Sequence, residues 1–93
     1  MIVSFRCPNT ERIYHGGSPR AFPASIHAVA ERKLTQLATV TRLADLAVPP
    51  GNRLEALKGD LAGCYSIRIN DQWRIVFQWT DSGPSEVRIA DYH

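Results

Sequence analysis

In the second half of the chain the apolar period drops from helical spacing to two, which limits the fold more than any other feature. Tyr65, Ile67 and Ile69 alternate with Ser66, Arg68 and Asn70. Trp73, Ile75, Phe77 and Trp79 alternate with Arg74, Val76, Gln78 and Thr80, and Val87 and Ile89 with Arg88 and Ala90. Successive strand side chains point to opposite faces, so each run has an apolar and a polar side. Three such runs with short polar connections predict an antiparallel meander with one apolar face. Residues opposed across an antiparallel pair share a face, so Ile69 must oppose Trp73 or a position an even step away. That asks for an odd loop, most simply Asn70-Asp71-Gln72, and the same test favours an odd loop around Ser82-Gly83-Pro84. In those registers Arg68 lies opposite Arg74 and Arg74 opposite Tyr92. Like charges facing across strands repel. A bridging phosphate would remove the penalty.

Upstream, Ile2-Val3-Ser4-Phe5 reads as an opening strand, and Asn9 is placed to cap a short helix through about His15. Gly16-Gly17 ends it, because glycine takes the left-handed conformation freely. From Pro23 to Val40 the residues Ile26, Val29, Ala30, Lys33, Leu34, Leu37 and Val40 follow helical spacing, so one stripe faces a core. Glu31, Arg32, Thr35 and Gln36 fall on the wet side, and a further helical turn fits Thr41 to Leu46. Ala47 to Asn52, with Pro49-Pro50-Gly51, reads as a linker, Arg53 to Leu57 as a strand, and Lys58 to Gly63 as a turn. A helix layer over the apolar face of a meander gives an α+β domain with its arginine face open.

With 93 residues, the chain is one small domain, without room for a second domain or a deep enclosed cavity. Function is therefore expected on an open surface, with a large partner. The net charge of +2 is too small to indicate nucleic acid on its own. Most of the cations are arginine, however, whose planar fork fits phosphate. Cys7 and Cys64 lack CxxC spacing and read as two reduced, partly buried thiols. No apolar run approaches the ~20 residues of a membrane span. With no signal-peptide pattern at the start, a cytoplasmic location without membrane attachment is expected.

The polar face gathers Arg68, Arg74, Arg88, Gln78 and Tyr92, with Asp91 and His93 at its edge. Cleaving RNA through its own 2′-hydroxyl needs a group to take that proton, a cation for the phosphorane, and an acid for the leaving 5′-oxygen. Asp91 and His93 suit proton transfer, Arg74 suits the phosphate, and Tyr92 suits stacking or orientation of the backbone. Lys58, in its glycine turn, is a further phosphate candidate. The plainer alternative is a solvated charged face with a frayed tail, and Lys58-Gly59-Asp60 is by default only a turn. Trp73 and Trp79 belong to the core-facing set. His15, His27 and His93 have no mutual metal-ligand spacing, so no metal is expected. Neither a phosphate-loop pattern nor a GxSxG elbow is present.

Three stretches carry a resemblance over essentially the whole chain: Gly51 to Asp60, with its Leu57-Lys58-Gly59-Asp60 turn; Tyr65 to Phe77, with Asn70-Asp71-Gln72-Trp73-Arg74; and the ending Asp91-Tyr92-His93. The chain resembles the HigB toxins (the group that includes GraT) of the RelE/ParE superfamily. The resemblance implies a RelE-like fold, with an N-terminal strand and two helices on one face of the meander. It also implies a toxin of a type II toxin–antitoxin system, a ribosome-dependent endonuclease that cuts mRNA in the ribosomal A site without metal or cofactor. Its partners would be a HigA-like helix-turn-helix antitoxin and the 70S ribosome with its mRNA, with operator DNA reached only through the antitoxin. The family's active-site positions map onto Lys58, Arg74, Asp91, Tyr92 and His93, and Arg68 and Arg88 are added as RNA phosphate contacts. Where some relatives have histidine this chain has Glu55, and where some have a hairpin arginine it has Asn70. Both changes predict a milder toxin. The rival reading is a ParE-like, non-nuclease toxin, or a degenerate toxin acting as a co-repressor partner, because one fold hosts several functions.

Overall fold

The computed structural model describes residues 1–91. Its elements are α1 (Pro8–Tyr14), α2 (His27–Thr39), β1 (Glu55–Ala56), β2 (Cys64–Arg68), β3 (Trp73–Thr80) and β4 (Gly83–Asp91), with short 3-10 turns between them. The strands form one antiparallel sheet in the order β1-β2-β3-β4. Helix α1 begins after Cys7 with Pro8 in its first turn, where the missing N–H leaves no bond unmade. Asn9 therefore lies inside the helix and is not its cap. After the His15 cap, Gly16 sits at φ +86°, as the stop expected there requires. The long helix is entered through a 3-10 turn, Ala24–Ile26, after Pro23, and ends at Val40.

One face of the sheet packs on both helices. Ile13 of α1 and Ala30, Leu34 and Leu37 of α2 are buried against Ile67, Ile69, Ile75, Phe77, Val87 and Ile89. Trp73 and Trp79 pack half-buried on this core, Trp73 meeting Phe22 edge-on at 5.5 Å. These side chains supply the apolar burial that stabilises the fold, and Leu34 and Leu37 are completely enclosed.

The first hairpin has the register its apolar pattern requires. Arg68 pairs with Arg74, and the Ile69 N–H donates to Trp73 O at 2.9 Å across the loop Asn70-Asp71-Gln72. In the second hairpin the connection is even: Thr80 pairs with Gly83 across Asp81-Ser82. Parity is restored within the strand, where the register shifts between Val76 and Gln78 and Glu86 adopts φ +53°. One extra residue in β4 forms a bulge, which brings Ile89 opposite Ile75 on the core face. Arg74 consequently faces Ala90, and not Tyr92.

The expected opening strand is reduced to one parallel bridge, Phe5 to Val87, flanked by bonds from Val3 N to Pro84 O and from Val87 N to Ser4 O. Its place is against the bulge, where Ser4 Oγ accepts from Glu86 N at 2.9 Å. The irregular β4 edge cannot accept a regular partner strand there, and this short segment covers it. Gly83, at φ +123°, lies so close to the Met1 carbonyl that no Cβ fits.

The stretch Ala47 to Asn52 is pinned in place. Asn52 is fully buried, and its Nδ2 donates to Gln36 Oε1 and Leu46 O, each at 3.0 Å. Gln36 is thereby drawn off the wet side of α2, and its own Nε2 donates to Val48 O. Of the strand expected over Arg53 to Leu57, Glu55 and Ala56 pair in register with β2, and Leu57 N donates to Cys64 O at 2.9 Å just beyond them. No helix among the described residues is long and apolar enough to cross a membrane.

Candidate functional site

The face of the sheet turned away from the helices is only partly open. Cys64, Ser66 and Val76 are buried there, and Leu57 and Leu61 from the β1–β2 connection cover them as a second small apolar cluster, with Ala90 packed against it. Val76 and Ala90, apolar in a row otherwise rich in arginine, were the signal for this cover. The connection forms a rim, and Arg74 lies beside it with its side chain only 11% exposed.

Arg74 is held from three directions. Its Nε donates to Ser66 Oγ at 2.8 Å, and its Nη2 to Arg53 O at 2.7 Å and to Ser66 O at 3.5 Å. Arg53 reaches this position in a left-handed conformation, φ 47°, which turns its carbonyl towards the guanidinium. Glu55 Oε2 stands 3.9 Å from Nη2, a loose ion pair whose acid is largely in solvent. Bonds to the plane of a guanidinium fix its orientation, so the charge is aimed before any ligand arrives. Ser66 and the Arg53 carbonyl were not among the residues singled out from sequence. Ser66 shares Arg74's face two positions before Arg68, and that spacing alone could have identified it.

Arg68 and Arg74 are neighbours across β2 and β3, as the register predicted. They do not face one another unpaired, since the Arg68 guanidinium bonds Asp71 in the hairpin loop. Arg88 lies on the same face opposite Val76, and its Nη1 donates to Glu86 O at 2.8 Å, back into the bulge. Gln78 is exposed further along. Lys58 is exposed just before the 3-10 turn Gly59–Leu61, with its backbone committed to that turn.

The strand carrying the tail is tied down through Asp91. Thr10 of α1, fully buried, accepts from Ile89 N at 3.0 Å. Asp91 pairs in register with Trp73, and its Oδ2 accepts from Gln72 Nε2 at 3.1 Å. That register gives Asp91 the parity of Trp73 and not that of Arg74, so its carboxylate sits at the exposed end of the sheet beside the hairpin loop. Tyr92 and His93 lie outside the described residues. Among the described residues, no three His, Cys, Asp or Glu side chains come together as a metal site.

On the opposite side of the β2 end, the Lys33 ammonium of α2 donates to the Arg68 carbonyl. Burial, followed by Arg32, Arg68 and Arg74 around it, holds Lys33 below the ordinary lysine range. Both cysteines are free thiols, Cys64 buried and Cys7 half-buried. Burial raises the Cys7 thiol, but its side-chain bond with Thr10 and the backbone amides of Thr10 and Asn9 bring it, on balance, below its usual value.

Comparison with known proteins adds what geometry alone does not. Residues 3–93 match the model of a family described as RelE-like toxin of type II toxin–antitoxin system HigB. The chain is 42% identical over 82 residues to Toxin HigB-1 of Vibrio cholerae, covering 87% of this chain and 86% of that one. It is 30% identical over 97 residues to the Endoribonuclease HigB of Proteus vulgaris, covering all of both. Among solved structures, the YoeB-YefM complex from Staphylococcus aureus contains a chain with the same fold at TM-score 0.57 and 23% identity, over 100% of this chain and 95% of that one. The RelBE2 toxin–antitoxin complex from Mycobacterium tuberculosis gives TM-score 0.51 at 20% identity, over 99% and 90%.

Proposed function

The chain belongs to the HigB family of RelE-like toxins of type II toxin–antitoxin systems, and we propose that it is an endoribonuclease that cuts mRNA in the ribosomal A site by metal-independent acid–base chemistry. The observation that carries this reading is Arg74: a nearly buried guanidinium, oriented by Ser66 and Arg53, on a partly open sheet face. A charge fixed in advance stabilises a phosphorane more than it stabilises the ground-state phosphate, which is the requirement for catalysis.

In the proposed reaction the 2′-oxygen attacks the adjacent phosphorus while a base takes its proton. The bond to the 5′-oxygen then breaks as an acid protonates that oxygen, leaving a 2′,3′-cyclic phosphate and a 5′-hydroxyl. Asp91 and His93 are the proton-transfer groups, Tyr92 orients the substrate, and Lys58, Arg68 and Arg88 contact RNA phosphates. With Glu55 close to Arg74 in place of a second proton-transferring imidazole, the toxin is a mild one. A HigA-like helix-turn-helix antitoxin neutralises it in the cytoplasm and carries it to operator DNA. The open face suits a large substrate such as a programmed ribosome. The test is to add purified protein to ribosomes holding a defined mRNA and map cut sites by primer extension, with and without chelator. Cuts within codons that survive chelation are expected. Growth arrest with DNA breakage and intact mRNA would instead favour the ParE-like alternative.

A further inference from the structure

On the helix side of the β2 end lies a cleft of about 580 Å³ between α2 and the turn at Pro49 to Asn52. Arg32, Lys33 and Arg68 line it together with Gln36, Asn52 and Ile69, and among the described residues no acidic side chain does. Cations gathered on one cleft wall repel one another, and the carboxylate of Asp71 on Arg68 offsets only part of this, so an anion entering the cleft would lower the remaining repulsion. Lys33 is held at the cleft by the bond from its ammonium to the Arg68 carbonyl. Arg68 pairs across the sheet with Arg74, so one residue belongs both to the cleft lining and to the neighbourhood of the site. Among the described residues the Arg68 guanidinium bonds Asp71, whose side chain is 99% exposed. An exposed ion pair of that kind is worth about 0–1 kcal/mol, little enough for a phosphate to displace the carboxylate.

We propose that this cleft is a second RNA-phosphate subsite, in which Arg32 and Lys33 of α2 take the backbone leading away from Arg74 around the end of β2. This rests on the reading of the protein as a ribonuclease, and it adds two residues that the sheet-face site does not contain. The phosphodiester chemistry is common to mRNA and ribosomal RNA. Each neutralised phosphate of a single strand contributes about 0.7 to the slope of log affinity against log salt, or roughly five-fold in affinity between 1 M and 0.1 M salt.

The experiment compares wild type, Arg32→Gln, Lys33→Gln, the double variant and Arg74→Ala, each verified as folded by circular dichroism. Glutamine at position 33 retains a donor for the Arg68 carbonyl while removing the charge. Two probes are used: a 12-nucleotide 2′-O-methyl single-stranded RNA, and 70S ribosomes programmed with mRNA. Each single variant is expected to bind about five-fold more weakly at 0.1 M salt and to lose about 0.7 from the salt slope, and the double variant about twice that slope. Weakening with both probes assigns the subsite to mRNA, and weakening with ribosomes alone assigns it to ribosomal RNA. Wild-type affinity and slope in both charge variants, with Arg74→Ala impaired, overturns the subsite and leaves the ribonuclease reading standing. Unchanged RNA binding with weakened pairing to a co-expressed antitoxin overturns it too, and gives the cleft to a protein. Absence of binding and cleavage in wild type itself defeats the ribonuclease reading and the subsite with it.

Discussion

Arg74 is useful only as far as its neighbours aim it. Ser66 Oγ accepts its Nε–H in a buried position, and a bond to a charged group contributes about 1.5–3 kcal/mol. Ser66→Ala should therefore lower single-turnover RNA cleavage by roughly 10- to 100-fold while the melting curve stays cooperative. Unchanged cleavage would mean that the bonds Arg74 retains, that to the Arg53 carbonyl among them, suffice. Glu55 acts in the opposite sense, drawing on the guanidinium from 3.9 Å. Because exposed pairs are worth about 0.2–1 kcal/mol, Glu55→Gln should raise cleavage by no more than about five-fold, measured in the same assay. A loss of activity would instead give the carboxylate a part in proton transfer. The arginines were readable from the alternation, because parity puts Arg68 and Arg74 side by side on any in-register hairpin. The backbone carbonyl that orients Arg74 was not readable, since nothing in the sequence marks Arg53 as left-handed.

Among the elements, the two hairpins separate what an apolar pattern determines from what it leaves open. The pattern requires Ile75 and Ile89 to share the core face, and they do. It does not say whether an odd loop or a bulge achieves this. Asn70-Asp71-Gln72 does so by loop length, whereas Glu86 does so inside β4 at φ +53°, where a glycine would have announced it. For a residue other than glycine this conformation costs about 1–2 kcal/mol, most for a β-branched side chain. Glu86→Gly should be neutral or slightly stabilising in urea unfolding, and Glu86→Val should cost about 1–2 kcal/mol through a lower midpoint at constant slope. Equal midpoints would show that the bulge relaxes to another register. The N-terminal run misled for a related reason. Its β-branched residues suit a strand, but the β4 edge it meets is bent by the bulge and offers one bridge. The supposed linker misled because one buried amide, Asn52, organises it from within.

For the whole molecule, the layers have divided duties. The helices and the inner sheet face hold the core, and the outer face, shielded in part by Leu57 and Leu61, presents a pre-aimed cation next to a strand end anchored by Thr10. The architecture followed from the alternation of Tyr65 to Ile89 and the stripe of α2, while the rim and the cleft beside α2 depend on how irregular connections fold back, which no apolar period encodes. If Arg74 on this face carries the proposed ribonuclease activity, its loss must show in the rate of mRNA cleavage on programmed ribosomes, compared between wild type and an Arg74→Ala variant of matched unfolding midpoint. Cleavage by wild type and a loss of at least about 100-fold in the variant are predicted, the scale of removing one preorganised charge-stabilising donor. A folded Arg74→Ala protein cutting at the wild-type rate would rule out that role for the guanidinium.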